Sequence, residues 1–438
     1  MILTKKSVWV STMAAFMMFT AACSGGSKQT ETTSTTPGGE VPAVSGEKVE
    51  LRMMWWGSQV RHDATLKVID LFQKKYPNIS IKPEYMSDGY WDKLNTVLAG
   101  GNAADLIQVG NNYPDYVKRG AFLDISSYYG KELKLDSFDQ SIIDSGKMDS
   151  KLYAVSLGSN ALGVIYNKTL LNGAGIEAPK DSWTWDEFAA YGKQVKDKLG
   201  IFGFVDGSDS THMVNYYARQ RGGAVYKDDG KIHFTKEQVV EYFTMWDQFR
   251  KGGIMPNGEQ TAGYKESPDN SRFVEGKAAM KVIWSNQLTA YQKAMKDEIG
   301  IALLPSGGTA KGLWLQPSQF MSINAKSKHP KEAAMFIDFM VTDPDATLIL
   351  GSERGVPGSS KVRTALKEKS NETDKRMYDY IDLAVKNSRE MDRELPNIAE
   401  WQSELTIQSQ KLAFGQTTVE KAAQAVVDSA SKSAAKMK

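Results

Sequence analysis

The chain holds 438 residues, 41% of them hydrophobic and 10% aromatic, which is enough apolar side chain for two cores. Fifty-four basic residues stand against 52 acidic ones, a formal charge of +2, and this balance excludes a nucleic-acid binder that must neutralise several phosphates. Four scattered histidines (His62, His212, His233 and His329) and one cysteine exclude a sequence-evident zinc site, and no acidic loop has EF-hand spacing, so neither metal nor cofactor is expected.

Lys5 and Lys6 precede an apolar stretch from Val8 and the small residues Ala21 and Ala22, the pattern of a secretory signal over residues 1–22. The sole cysteine, Cys23, stands where that signal ends. Thr20-Ala21-Ala22-Cys23 resembles a bacterial lipobox, which implies lipidation of Cys23, although Thr20 occupies a position where leucine is usual. Residues 24–47 are rich in Ser, Thr, Gly and Pro and read as a flexible tether between a lipid anchor at the membrane and the folded part.

The first strand, from Val49, runs into Trp55, Trp56, Gly57 and Ser58, and Asp63 is expected to cap the following helix. One of the two tryptophans is expected in the core. Helical spacing of Leu66, Ile69, Phe72 and Tyr76 ends at Pro77, and the strand ISIKPEYM follows. Asp88 to Asp92 reads as a turn with two exposed aromatics, ahead of a helix and of the strand DLIQVG, which ends in Asn111, Asn112 and Tyr113. Strand, polar or aromatic loop and helix thus alternate as in a doubly wound α/β lobe.

Two apolar runs joined by Gly158-Ser159-Asn160, with no helix between them, mark a passage to a second lobe. There Thr184 and its neighbours start a helix, Asp229-Gly230 makes a hairpin turn, and Val239, Phe243, Trp246 and Phe249 form a helical core stripe. Gly276 to Gln287 is a buried strand ending in Trp284, Ser285, Asn286 and Gln287. Ser318 to Asn324 and the helix from Pro330 return to the first lobe, and GSERGVPG (351–358) reads as a further crossing rather than a phosphate loop. Thr417 and Glu420 have capping-box spacing before the last helix. Lobe 1 would comprise residues 48–157 and 318–352, and lobe 2 residues 158–317 and 353–438.

Tyr166-Asn167-Lys168, SWTWDEF, Gly276-Lys277-Ala278-Ala279-Met280, SKHPKEAAMFIDFM and FGQTTVEKAAQ resemble, in order, landmarks of the extracellular solute-binding proteins of carbohydrate ABC importers. The resemblance implies a two-lobed α/β periplasmic-binding-protein fold that closes on an oligosaccharide, a monomer that delivers it to permease subunits, and no catalytic residues. WWGSQVRHDATLKVID with SERGVP and SNQ is further similar to binding proteins for plant cell-wall oligosaccharides, including rhamnogalacturonan fragments.

A sugar ring offers a C–H face that stacks on aromatics and an equator of hydroxyls that need donors and acceptors. Loops joining a ring to such side chains are therefore candidate contacts: Trp56, Gly57 and Ser58; Trp91; Asn111, Asn112 and Tyr113; Asn160; Trp284, Asn286 and Gln287; Trp314 and Gln316; and Trp401. Trp183 and Trp185 are expected in the core. Arg61 or Arg354, with His62 beside the first, would hold a uronate carboxylate if the sugar is acidic. The competing classes are a tethered glycoside hydrolase or lyase and a peptide-binding lipoprotein of the same fold. No nucleophile elbow, zincin motif or dinucleotide fingerprint supports the enzyme.

Overall fold

The computed structural model describes residues 47–226, 231–392 and 399–435. Cys23, the signal, the tether to residue 46 and the Asp229-Gly230 turn lie outside the described residues.

In chain order the strands are β1 (Val49–Trp56), β2 (Ile79–Met86), β3 (Leu106–Val109), a small hairpin of β4 (Lys147–Met148) and β5 (Lys151–Leu152), and β6 (Ala154–Asn160). Next come β7 (Leu162–Asn167), β8 (Phe202–Phe204), β9 (Ala224–Tyr226) with its partner β10 (Ile232–His233), β11 (Ala278–Trp284), β12 (Ile299–Ala302) and β13 (Gln316–Ile323). Five of them form one sheet in the order β2-β1-β3-β13-β6, and four form another in the order β12-β7-β11-β8. With helices packed on them, these sheets make a two-lobed α/β fold.

Period-2 alternation explains how β1 serves two cores at once. Leu51, Met53 and Trp55 are buried with Val68 and Phe72 of the helix Gln59–Lys75, whereas Met54 packs with Tyr90, Leu94 and Ile107 in a separate cluster. The helix cap falls earlier than the sequence indicated. β1 runs almost directly into the helix, so Ser58 is the last extended residue, and its side chain accepts the Arg61 amide at 3.2 Å. Asp63 lies inside the first turns, where Gln59 donates to it at 2.8 Å.

A second correction concerns the aromatics after β2. The helix begins at Tyr90, so Tyr90 turns inward and donates to the Gln108 carbonyl at 2.6 Å, and only Trp91 is exposed. Thr184 caps the helix Trp185–Leu199 in a reciprocal box with Glu187, and both Trp183 and Trp185 are buried. The helix Lys236–Lys251 buries Val239, Phe243, Trp246 and Phe249 as the spacing indicates. The last helix, Val419–Ala435, takes its cap from Thr418, which accepts from Lys421 N at 3.4 Å, one residue later than expected.

β1, β3 and β6 run in one sense, because β1 and β3 are parallel and β13 is antiparallel to both β3 and β6. Their carboxyl ends therefore share one edge. In the other sheet β8, β11 and β12 share a sense opposite to β7, so their carboxyl ends lie where β7 begins. A single residue, Ala161, separates the end of β6 from the start of β7. The passage thus follows Asn160, and Gly158 to Asn160 belong to the first sheet. Because the link is so short, the two carboxyl edges meet at this passage.

Candidate ligand-binding cleft

Ligands of open α/β sheets lie beyond the carboxyl ends of the strands, so the paired edges around Ala161 frame the site. Backbone bonds hold the passage itself. Ser159 and Val356 exchange hydrogen bonds at 2.7 and 3.0 Å, the Ser285 amide donates to the Ala161 carbonyl at 2.9 Å, and Ser285 Oγ accepts the Ala161 amide at 3.2 Å. A Cβ on Gly158 would lie 2.1 Å from the Arg354 carbonyl oxygen, so only glycine lets the 351–358 segment lie against β6. Asn160 ends β6 with its side-chain oxygen buried and without a hydrogen-bond partner among the described residues.

On the first edge, half-buried Trp56 meets Trp91 at 5.0 Å and Tyr90 at 4.9 Å between ring centroids. Trp91 and the Asn112 side chain both lie within 4 Å of the Cβ position of Gly110, so the three stand together. Arg61 lies behind this group. It donates to the Glu353 carbonyl from Nε at 3.1 Å and Nη2 at 2.8 Å, and to the Trp56 carbonyl from Nη1 at 3.3 Å. A Cβ on Gly57 would meet Arg61 Cδ at 2.5 Å, so glycine is required there too. Ser58, besides capping the helix, donates to the Glu353 carboxylate at 3.3 Å.

The guanidinium of Arg61 is thus engaged by backbone oxygens, and burial lowers its pKa against the opposing pull of Glu353. Arg354 departs further from the expectation of an exposed or ligand-holding charge. It is 1% exposed and donates to the side chains of Gln108, Gln319 and Thr65. Burial, followed by the neighbouring charge of Arg61, pushes its pKa down to about 9. Its chemistry is structural: it holds Gln108, whose amide reaches the Trp56 carbonyl at 3.3 Å. His62 is stacked 4.1 Å from Tyr85 and 5.6 Å from Trp55, inside the packing behind the edge.

On the second edge, Trp284 ends β11 with His212 at 4.9 Å and Trp314 at 6.1 Å, both edge-on. Trp314 is largely buried and donates from Nε1 to Gln316 at 2.9 Å, which ties the start of β13 to this cluster. Gln287 accepts the Trp284 amide at 3.0 Å, and Asn286 is exposed beside it. His212 is a site residue that sequence reasoning passed over. Burial holds its pKa below the ordinary 6.5, which keeps the imidazole neutral.

Three other expected contacts lie apart from these rings. Asn111 and Tyr113 line a separate cavity of ≈600 Å³ with Lys147, Asp149 and Glu390. Tyr113 is itself buried, with its hydroxyl donating to the Ser145 and Lys147 carbonyls at 2.8 Å, so it braces the β4–β5 hairpin. Trp401 is 2% exposed on the core stripe of the helix Ala399–Ala413 with Leu405 and Leu412, and helical packing rather than a strand end determines its place. Among the described residues no cluster of His, Cys, Asp and Glu fits a metal ion.

Residues 58–347 match the family of bacterial extracellular solute-binding proteins. An extracellular solute-binding protein family 1 structure from Alicyclobacillus acidocaldarius superposes with a TM-score of 0.82 at 30% identity, covering 89% of this chain and 99% of that one. An oligogalacturonide-binding protein from Yersinia enterocolitica superposes at 0.75 with 28% identity over 89% and 99%, and that protein is also solved with saturated digalacturonic acid. A multiple sugar-binding protein of Streptococcus mutans is 25% identical over 68% of this chain and 73% of its own. Family members bind solutes for transport and are not enzymes. With its family match spanning both sheets, the chain belongs to the bacterial extracellular solute-binding proteins.

Proposed function

We propose that this chain captures an oligosaccharide outside the cytoplasm and delivers it to the permease of an ABC importer. The observation that carries this reading is the placement of indole rings, Trp56 with Trp91 and Trp284 with Trp314, on two carboxyl edges that meet at Ala161. Trp56, Trp91 and Trp284 supply faces for sugar C–H groups, with Trp314 buried beside Trp284, and Ser58, Asn112, Asn160, Asn286, Gln287 and Gln316 supply the hydrogen-bonding complement. The Yersinia and Streptococcus relatives, named for oligogalacturonide and for sugars, support the same ligand class. A plant cell-wall oligosaccharide, with uronate among its residues, is the ligand proposed.

The lobes, divided near Ala161 and through the 303–315 and 351–359 segments, would close on that ligand, with the protein acting as a monomer. Cys23 would carry the lipid anchor and residues 24–47 the tether. Calorimetry against a set of cell-wall oligosaccharides tests the binding reading. Saturable heat with the sugar recovered unchanged supports it, and new reducing ends would assign the chain to the enzymes. For the anchor, Cys23→Ala is expected to shift the protein from the membrane fraction to the medium; a variant that still pellets with membranes rules the anchor out.

A further inference from the structure

Phe414 is an aromatic ring that the chain has fixed in place without covering it. The residue is 48% exposed and follows directly on the helix Ala399–Ala413. Beyond it Gly415 takes the left-handed conformation at φ 67°, its amide donates to the Leu412 carbonyl at 3.0 Å, and the Gln416 amide donates to the Lys411 carbonyl at 2.7 Å. That pair of bonds is a Schellman closure, which sets the backbone on both sides of Phe414. The ring rests on Gly258, the first residue of the short helix Gly258–Thr261. A Cβ on Gly258 would lie 2.8 Å from Cγ and Cδ2 of the ring and 3.0 Å from the Ala413 carbonyl carbon. Gly258 is not among the left-handed glycines, so its missing side chain serves this contact and not a turn.

Phe414 shares with Trp284 the wall of a cavity of ≈640 Å³, completed by the loop after β8, the end of β11 and the 258–266 segment. That volume has room for about two sugar rings. Tyr264, also in the wall, is engaged: its hydroxyl donates to Glu275 at 2.7 Å and accepts from Lys277 at 2.8 Å, and the Arg272 guanidinium lies 3.8 Å from its ring centroid. His212 stands edge-on to Trp284 at 4.9 Å. Of these four aromatic side chains Phe414 is the exposed one.

Asp206, Asp209, Lys265, Glu266 and Lys281 put charges of both signs in the same wall, so net charge does not single out what enters. A lone exposed apolar side chain is ordinary on a protein surface. A ring fixed by a helix closure, seated on a glycine and set beside a second ring in one cavity is a prepared contact, because the cost of ordering it is met before a ligand arrives. Trp284 and Phe414 come from separate elements, the ends of β11 and of the helix Ala399–Ala413. With room for about two sugar rings between them, they suit successive residues of one oligosaccharide.

We infer that Phe414 is a second stacking platform, holding the C–H face of the sugar residue next to the one on Trp284. With Trp56 on the opposite edge, the ligand is then an oligomer of three or more residues. The inference rests on the proposed oligosaccharide binding and deepens it by adding a contact residue and a minimum length.

The test is calorimetry of the full chain with oligogalacturonides, arabino-oligosaccharides and xylo-oligosaccharides, each from disaccharide to hexasaccharide. In a series that wild type binds, affinity is expected to rise beyond the disaccharide. Phe414→Ala is expected to weaken the longest member by about tenfold while changing the disaccharide by less than about twofold. Phe414→Leu keeps an apolar side chain on the Gly258 seat and loses the ring face, so it should show the same length dependence with an unchanged melting temperature, and it serves even if Phe414→Ala folds poorly. Phe414→Trp should retain the long oligomers. Undiminished binding of long oligomers by Phe414→Leu, an equal loss at every length, or an affinity that stops rising at the disaccharide overturns the platform and leaves sugar binding standing. No binding of any series by wild type overturns both.

Discussion

The two edges that meet at Ala161 are built from different materials. On the first, Trp56 and Trp91 lean on one another, Arg61 is engaged by backbone carbonyls, and Arg354 by the side-chain oxygens of Gln108, Gln319 and Thr65. On the second, Trp284 borders a cavity of ≈640 Å³ whose wall carries the charged side chains Asp206, Asp209, Lys265, Glu266 and Lys281. Aromatic stacking tolerates many sugars because every pyranose has a C–H face, whereas open polar groups accept only particular hydroxyl arrangements. On the proposed reading the first edge contributes affinity in a general way, and the second contributes choice.

Substitutions can break that division, and the largest effect is expected away from both edges. Trp401→Ala removes a buried core ring and should destabilise the fold by about 3–5 kcal/mol, read as a lower melting temperature, while leaving sugar affinity of the folded fraction unchanged. A loss of affinity without a loss of stability would place Trp401 at the ligand after all. Trp56→Ala and Trp284→Ala should do the reverse, each costing about 1–3 kcal/mol of binding by calorimetry with a small change in melting temperature. If neither weakens binding, the cleft lies elsewhere.

Arg61→Ala gives a smaller and more diagnostic change. Because its guanidinium holds the Glu353 and Trp56 carbonyls, its loss should weaken neutral and uronate-bearing sugars alike, by about 1 kcal/mol. A loss confined to uronate-bearing sugars would mean that the guanidinium leaves those carbonyls to meet the ligand.

The smallest effect is a pH dependence centred on the second edge. His212 has a folded pKa below 6.5, so under acid conditions the unfolded chain binds a proton that the folded chain refuses. Its contribution to stability is complete above the ordinary value and is lost as the pH falls through the folded one. Melting temperature should therefore drop on acidification below about pH 6.5, and His212→Gln should flatten that part of the profile. A profile identical in the variant would remove His212 from the account.

The sequence disclosed patterns with a period and concealed groups that act alone. Alternation along β1 separates Trp55 from Trp56, and the spacing of Val239, Phe243, Trp246 and Phe249 assigns a buried helix face. The order of strands around Gly158-Ser159-Asn160 reveals the passage between sheets to within a few residues, because no helix intervenes. Arg354 could not be read as buried, since nothing local announces that Gln108, Gln319 and Thr65, distant in sequence, converge on it. His212 escaped for the same reason, since Trp284 and Trp314, which it meets, are distant in sequence. Lys281, a single charge inside an otherwise apolar strand, is a local signal of the cavity that it lines and of the Glu266 carboxylate that it meets.

The central claim is that one ligand touches both edges. With the tryptophans labelled as 5-fluorotryptophan, fluorine NMR resolves the rings during a titration with a captured oligosaccharide. Trp56 and Trp284 should shift together with one midpoint, while Trp55, Trp246 and Trp401 remain in place. A ligand that saturates while moving only one of the two edges would contradict the account.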